Sequence, residues 1–464
     1  MCAAAAICIA IGGGDALAAK PKKLQVGAAK AEITPSEDTL GPTDSIRDPL
    51  YARAIVVKEG KSCAVLVGVD IGGITPDAAE EMRHAAAGET GCDKDSILIS
   101  ATHTHSSGVH GFTPPERLAE GVVEAIKKAA AATKPASMGY GTTTVNLNVN
   151  RDLYANDMWY QGINRDGPSD KTLAVLYFLG EDGEPIGVYM NYAMHPIDFY
   201  ISGVISADFP GEASRYVEDF YNDKAVAVFA QGASGDQNPL LMGPAFTLWG
   251  VRTGHPEMAS RDVTAPFGWE VGASSTNSNT DAQNAMSKPV PAENLDAYHR
   301  AIEDTGAIVT AMGSIIGEST IDVMRNKSPD RMDRASLWAG AEQVTCPGRN
   351  RLDMTVRQGV TPPYEDGEPV VITVGLIRIG DVYISTVNGE VYTEIEQRLK
   401  KEAPVPNLMM TALANGFANS GYIYSNNASD HLTFQVIGSR LKPGCAEDSI
   451  IDASLGLIGR AGGK

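Results

Sequence analysis

The chain has 464 residues, 43% of them hydrophobic, and a formal net charge of −19 at neutral pH. That length can bury a large core, either as one big α/β domain or as roughly three smaller ones. The acidic balance has no compensating basic run, which argues against nucleic acid or an anionic membrane surface as partner.

Residues 1–19 read as the apolar part of a secretory signal that closes on the small-x-small site Ala16-Leu17-Ala18, although no positive residue precedes the run. The expectation is a periplasmic or secreted protein. The stretch is too short and too glycine-rich to span a bilayer, and no integral membrane span is expected further on. Beyond Cys2 and Cys8 the cysteines are Cys63, Cys92, Cys346 and Cys445, without a CxxC pair. This excludes a structural zinc knuckle and a redox motif, and leaves one or two disulfides whose pairing spacing cannot give.

In chain order, residues 25–35 predict a strand, and 50–57 and 63–70 a hairpin whose second arm ends in Asp70. A helix is expected from Thr75 to Gly88, with Pro76 in its first turn. The buried run at 96–99 then delivers His103 and His105, two apart, at its end. On an extended chain both rings face one side; a polar strand end with hydrogen-bonded histidines is the plainer alternative. Residues 114–133 predict a helix. A strand from 138 runs on into Arg151, which could serve an oxyanion or be an ordinary salt-bridged arginine.

A second hairpin, 173–179 with 186–192, feeds His195. A helix from 206 to 221 and a strand at 225–231 follow. The small-residue loop 232–239, with Asp236 and Asn238, either lets backbone approach a ligand or is only a turn. Periodicity is absent over 242–291, where Phe246, Trp249, Phe267 and Trp269 suggest a lid. Residues 292–316 predict a helix, and 342–357, 370–379 and 381–387 strands. The last ends in Asn388-Gly389-Glu390 before a helix over 391–402, which presents Glu390 at a sheet edge or merely places an acid in a helical first turn. Strand ends are where α/β proteins assemble sites. The expected fold is α/β, with mixed β-sheets and flanking helices in a single large catalytic domain at 20–464, and no repeat or linker.

Taken together, 27–35, 50–70, 102–108, Asn150-Arg151, the His195 segment with Ser206-Ala207-Asp208, 231–239, Asn388-Gly389-Glu390 and 415–422 resemble the zinc-dependent catalytic domain of the neutral/alkaline, non-lysosomal ceramidase family. The resemblance covers nearly all of 20–464. It implies one zinc per chain, held by His103, His195, Glu390 and Tyr422, with His105 handling protons and Arg151 stabilising the substrate oxygen. Such nitrogen and oxygen donors suit zinc. The family's C-terminal immunoglobulin-like domain is not expected here. Two positions depart from the family pattern. Its proposed nucleophilic serine falls on Asn238, within Gly235-Asp236-Gln237-Asn238-Pro239, and a second tyrosine falls on Phe434, which has no hydroxyl donor.

The resemblance therefore implies zinc-assisted hydrolysis of an N-acyl amide by water, in a small amphipathic or lipid-like substrate contacted by Phe434, Asn238, Asp236 and Trp249. The alternatives are a zinc hydrolase of an ester, a lactone or another N-acyl compound, or a non-catalytic binding protein. The oligomeric state is not legible in the sequence.

Overall fold

A computed structural model describes residues 22–108, 116–200, 202–254, 288–328, 331–353 and 359–462. Its main element is an eight-stranded mixed sheet in the order Val226–Gln231, Pro185–Tyr192, Thr172–Gly180, Lys134–Thr144, Gln25–Glu32, Tyr51–Glu59, Ser62–Val69, Ile97–Ala101. The two hairpins expected from the sequence form its antiparallel arms. At either end of the order an outer strand pairs in parallel with its neighbour.

The sheet folds across itself. A Cβ on Gly68 would lie 2.6 Å from the carbonyl oxygen of Phe229, so the strands Ser62–Val69 and Val226–Gln231 cross at a distance only glycine permits. Leu66, Leu98, Tyr189 and Val228 fill the space between the layers. Folding the sheet brings the C-terminal ends of Ile97–Ala101 and Pro185–Tyr192 together, although they lie near opposite ends of the strand order. A second sheet runs Leu337–Arg351, Tyr364–Ile379, Val382–Val387, Asn407–Thr411, its last two strands parallel.

Helices cover both sides. Pro76–Thr90 begins as the sequence predicts, with Thr75 accepting a hydrogen bond from the Ala78 amide, and ends at Gly91 in the left-handed conformation. It packs with Leu118–Ala131 through Met82, Val122 and Ile126. On the other side Asp208–Phe220 and Leu295–Asp322 bury Phe209, Val217, Val309 and Ile316. The segment Ala292–Lys327 is the one helical stretch among the described residues with the length and composition to cross a bilayer; in this fold its apolar side is buried in that core.

Arg53, fully buried, pairs with Asp70 at 2.7 Å and Glu218 at 2.9 Å, which gives the acid ending the second hairpin arm a structural partner. The turn after Asn407–Thr411 ties the two sheets together. Asn415 donates its amide to Ile99 and accepts from the Ile99 amide, while the Leu413 and Ala414 amides bond to Gly389 and Val387. Leu413 and Asn415 hold φ near +55° to do so, a conformation that persists only where its surroundings enforce it.

Three sequence expectations are corrected. Gly243–Thr253, at the start of the stretch read as aperiodic, is an α-helix with a proline in its first turn and a left-handed Gly254 at its end. Its Phe246 and Trp249 are buried with Ile197, Met242 and Ala245, and this local cluster, invisible as a periodic stripe, holds the helix. Phe267 and Trp269 lie outside the described residues. The helix expected from residue 391 starts at Thr393, because Glu390–Val391 pairs as a short strand. The chain-order reading assigns no element to Ala446–Arg460, a helix anchored at its start by the Cys346–Cys445 disulfide. The second disulfide joins Cys63 and Cys92.

Candidate metal centre

His103 follows the fully buried strand Ile97–Ala101. Its amide bonds to the Ile71 carbonyl, and its φ is +72°, so the chain turns sharply at this residue. The expected convergence of His103 and His105 is present, with Nε2 atoms 3.4 Å apart, but the turn creates it; the chain here is not extended. His195 arrives from Pro185–Tyr192, its amide bonded to the Gln237 carbonyl. Glu390 comes from the second sheet and lies in register with Tyr422 in a two-residue parallel ladder.

Three atoms close the centre. The Nε2 atoms of His103 and His195 are 3.2 Å apart, and each is 3.2 Å from Glu390 Oε2. One ring nitrogen from each of His103, His105 and His195 lies within 4.8 Å of the other two. His103 Nδ1 faces the Gly72 carbonyl at 2.5 Å and His195 Nδ1 faces that of Ser234 at 2.8 Å. Those carbonyls can only accept, so they fix the ring proton on Nδ1 and leave both Nε2 atoms as lone-pair donors.

Burial, reinforced by Arg151, pushes the His195 imidazole down to about 3. Burial and the neighbouring imidazole of His103 push His105 well below the ordinary histidine value. Burial works against ionisation of Glu390, yet His103 and His195 hold its carboxyl well below the usual range. The His195 and His105 rings, held neutral, and the Glu390 carboxylate therefore converge with His103 on one point. This donor set fits a cation, and a divalent ion with nitrogen and oxygen preference fits it best.

Arg151, 2% exposed, lies beside this cluster. Its guanidinium donates to Asn238 Oδ1 at 3.1 Å and the Gly235 carbonyl at 2.6 Å, and lies 5.2 and 5.3 Å from the ring centres of Tyr422 and Phe434. Burial with the neighbouring Glu390 charge raises the pKa of the Tyr422 hydroxyl. The loop 232–239 makes its close approach to protein. A Cβ on Gly235 would sit 2.9 Å from the Glu390 carbonyl oxygen, and the Gly235 amide bonds to Val391.

The residues read as substrate contacts fall in two settings. Asn238 is fully buried under Arg151. Asp236 accepts from the Asn150 side chain and the Thr393 amide, and burial pushes its carboxyl up to about 7. Phe434 packs edge-on against Tyr422 with ring centres 5.6 Å apart. Trp249 is buried and meets the ring of Tyr200, which in turn stands edge-on to His105 at 5.2 Å. Sequence reading passed over Tyr200, Asp152 and His431. Only the adjacency of Asp152 to Arg151 could have signalled one of them.

Residues 41–255 match the family model of the neutral/alkaline non-lysosomal ceramidase N-terminal region. The neutral ceramidase of Drosophila pseudoobscura is 27% identical over 277 residues, 52% of this chain and 39% of that protein. That of Pseudomonas aeruginosa is 28% identical over 246 residues, 46% of this chain and 37% of that one. The matched stretch thus spans about two fifths of these relatives. The crystal structure of neutral ceramidase from Pseudomonas aeruginosa superposes with a TM-score of 0.64 at 17% identity, covering 95% of this chain and 75% of that one. A ceramidase complexed with C2 gives 0.65 at 16%, covering 95% and 76%. At that identity the likeness is one of fold.

Proposed function

Because the chain belongs to the neutral/alkaline non-lysosomal ceramidase family, we propose that it is a zinc-dependent hydrolase cleaving the amide bond of an N-acyl, lipid-like or amphipathic substrate. The observation that carries this reading is the meeting of the His103 and His195 Nε2 lone pairs with the Glu390 carboxylate, each ring proton being committed to a backbone carbonyl.

His103, His195, Glu390 and Tyr422 would hold one zinc. Bound there, the ion would supply Lewis acidity, polarising the amide carbonyl and lowering the pKa of water from 15.7 to about 7. The chain's own residues do the rest. A water oxygen bonds to the carbonyl carbon and the carbon–nitrogen bond breaks. His105, at the edge of the cluster, takes the proton from that water and returns it to the leaving nitrogen. Arg151, locked by Asn238 and Gly235, presents a fixed positive charge to the oxygen that becomes negative. Position 238 offers no hydroxyl, and its amide oxygen is occupied by Arg151, which favours water over a serine nucleophile. The two disulfides suit an exported protein.

Incubating the purified protein with a mixed N-acyl amide library and following products by mass spectrometry tests the reading. Release of fatty acid and amine, abolished by a chelator and restored by zinc, is the expected outcome. Activity that survives complete metal removal would contradict it.

A further inference from the structure

The strand Val226–Gln231 ends beside the one that delivers His195, with Gln231 in register with Tyr192. The Gln231 side chain is fully buried and takes no part in the chemistry proposed above. Its Nε2 donates to two different segments, to the Met194 carbonyl at 2.6 Å and to the Ser234 hydroxyl at 2.8 Å. Met194 is the residue before His195, and Ser234 is the residue whose carbonyl faces His195 Nδ1 at 2.8 Å. One amide group thus ties the backbone that carries the ring to the backbone that takes the ring's proton.

The Met194 carbonyl can only accept, so the amide cannot turn over and present its oxygen there. Gln231 Oε1 is left buried with no partner among the described residues, an arrangement that costs stability. What glutamine supplies here that an apolar side chain of similar length cannot is the pair of donated bonds. Other bonds hold the loop from its far side. The Ala233 amide donates to Glu396 Oε2 at 3.2 Å, and the Gly235 amide to the Val391 carbonyl at 2.7 Å. Glu396 also accepts from the Met410 amide at 3.1 Å and pairs with Lys400 at 2.8 Å. The loop is therefore fastened to the part of the fold that carries Glu390, while Gln231 joins it to the segment of His195.

Resting on the zinc hydrolase reading above, we infer that Gln231 is the positioning residue of His195. Acting through Ser234, it holds the ring in its Nδ1–H tautomer with Nε2 turned to the centre, and so sets how tightly the centre holds its ion. A ring released from this restraint shares its proton between the two nitrogens, and a protonated Nε2 has no lone pair for a cation.

The test measures two quantities in the wild type, Gln231→Met and Ser234→Ala. One is the zinc dissociation constant by competition with a chromophoric chelator, and the other is the nitrogen-15 spectrum of the His195 ring in the metal-free protein. Gln231→Met should weaken zinc binding about 10- to 100-fold, as loss of a group that orients a metal ligand does, and move the ring away from the Nδ1–H tautomer. Ser234→Ala keeps the carbonyl and removes one of the two bonds, so it should shift both readouts in the same direction by less. Tyr189→Phe, which loses a buried hydrogen bond to Thr411 on the strand of His195, is the purely structural comparison and should leave both readouts in place. Unchanged affinity and an unchanged ring spectrum in folded Gln231→Met would overturn the inference and leave the hydrolase reading intact. Should that variant not fold, the same two readouts in Ser234→Ala decide. Zinc uptake by the wild type without turnover of any N-acyl amide would fail the hydrolase reading alone, and a wild type that takes up no zinc would overturn both.

Discussion

The Nε2 atoms of His103 and His195 lie 3.2 Å apart, and neither carries the ring proton, because each Nδ1 is turned onto a backbone carbonyl. Two lone pairs and the Glu390 carboxylate pointed at one spot repel unless a cation sits among them. Metal should therefore stabilise the fold. At free zinc about a hundredfold above Kd the gain is about 2.7 kcal/mol. Thermal unfolding with zinc and with a chelator checks this, and coincident curves would speak against a metal centre.

His105 shares the cluster, 3.4 Å from His103, but is assigned to the substrate. The His105→Ala variant should lose about 10² to 10⁴ in kcat, the usual worth of a proton-transferring group, and keep its metal. Loss of zinc in that variant would make His105 a ligand instead.

Arg151 is held in place by Asn238, so the two variants should differ in kind. Arg151→Ala removes the charge itself and should lower kcat about 10² to 10³, as loss of one oxyanion donor does. Asn238→Ala frees one arm of the guanidinium while Gly235 still holds the other, and should cost less. Steady-state kinetics on one N-acyl amide decides it. Equal losses would mean that Asn238 acts on the substrate directly.

How much of this was legible in sequence depended on range. The hairpins, the Thr75 cap and the strand ends carrying His103 and His195 are local patterns, and they are present in the structure. The turn at His103 was hidden, because a left-handed histidine is imposed by contacts with Ile71 and Gly72 and has no local signature. The same holds for the pairing of Glu390 with Tyr422 across 32 residues of chain, which moves the helix start to Thr393. The helix at Gly243–Thr253 was missed because its buried rings meet Ile197 and Tyr200 from a distant segment. Asp152 and His431 drew no notice, since nothing in either stretch records that they meet.

Phe434 bears on the substrate. Its ring covers Arg151 and Tyr422 and has no hydrogen bond to offer. Long-chain ceramide should then be cleaved with lower kcat/KM than a smaller or differently headed N-acyl amide, and Phe434→Tyr should narrow the gap. Ceramide emerging as the best substrate of the unaltered protein would refute this.

The central claim concerns where the ion sits, and diffraction from zinc-soaked crystals at the zinc absorption edge addresses it directly. One anomalous peak per chain is expected, within bonding distance, about 2.0–2.2 Å, of His103 Nε2, His195 Nε2, a Glu390 carboxylate oxygen and the Tyr422 hydroxyl. A peak bonded to other residues, or no peak at this cluster in crystals that hold zinc elsewhere, would contradict it.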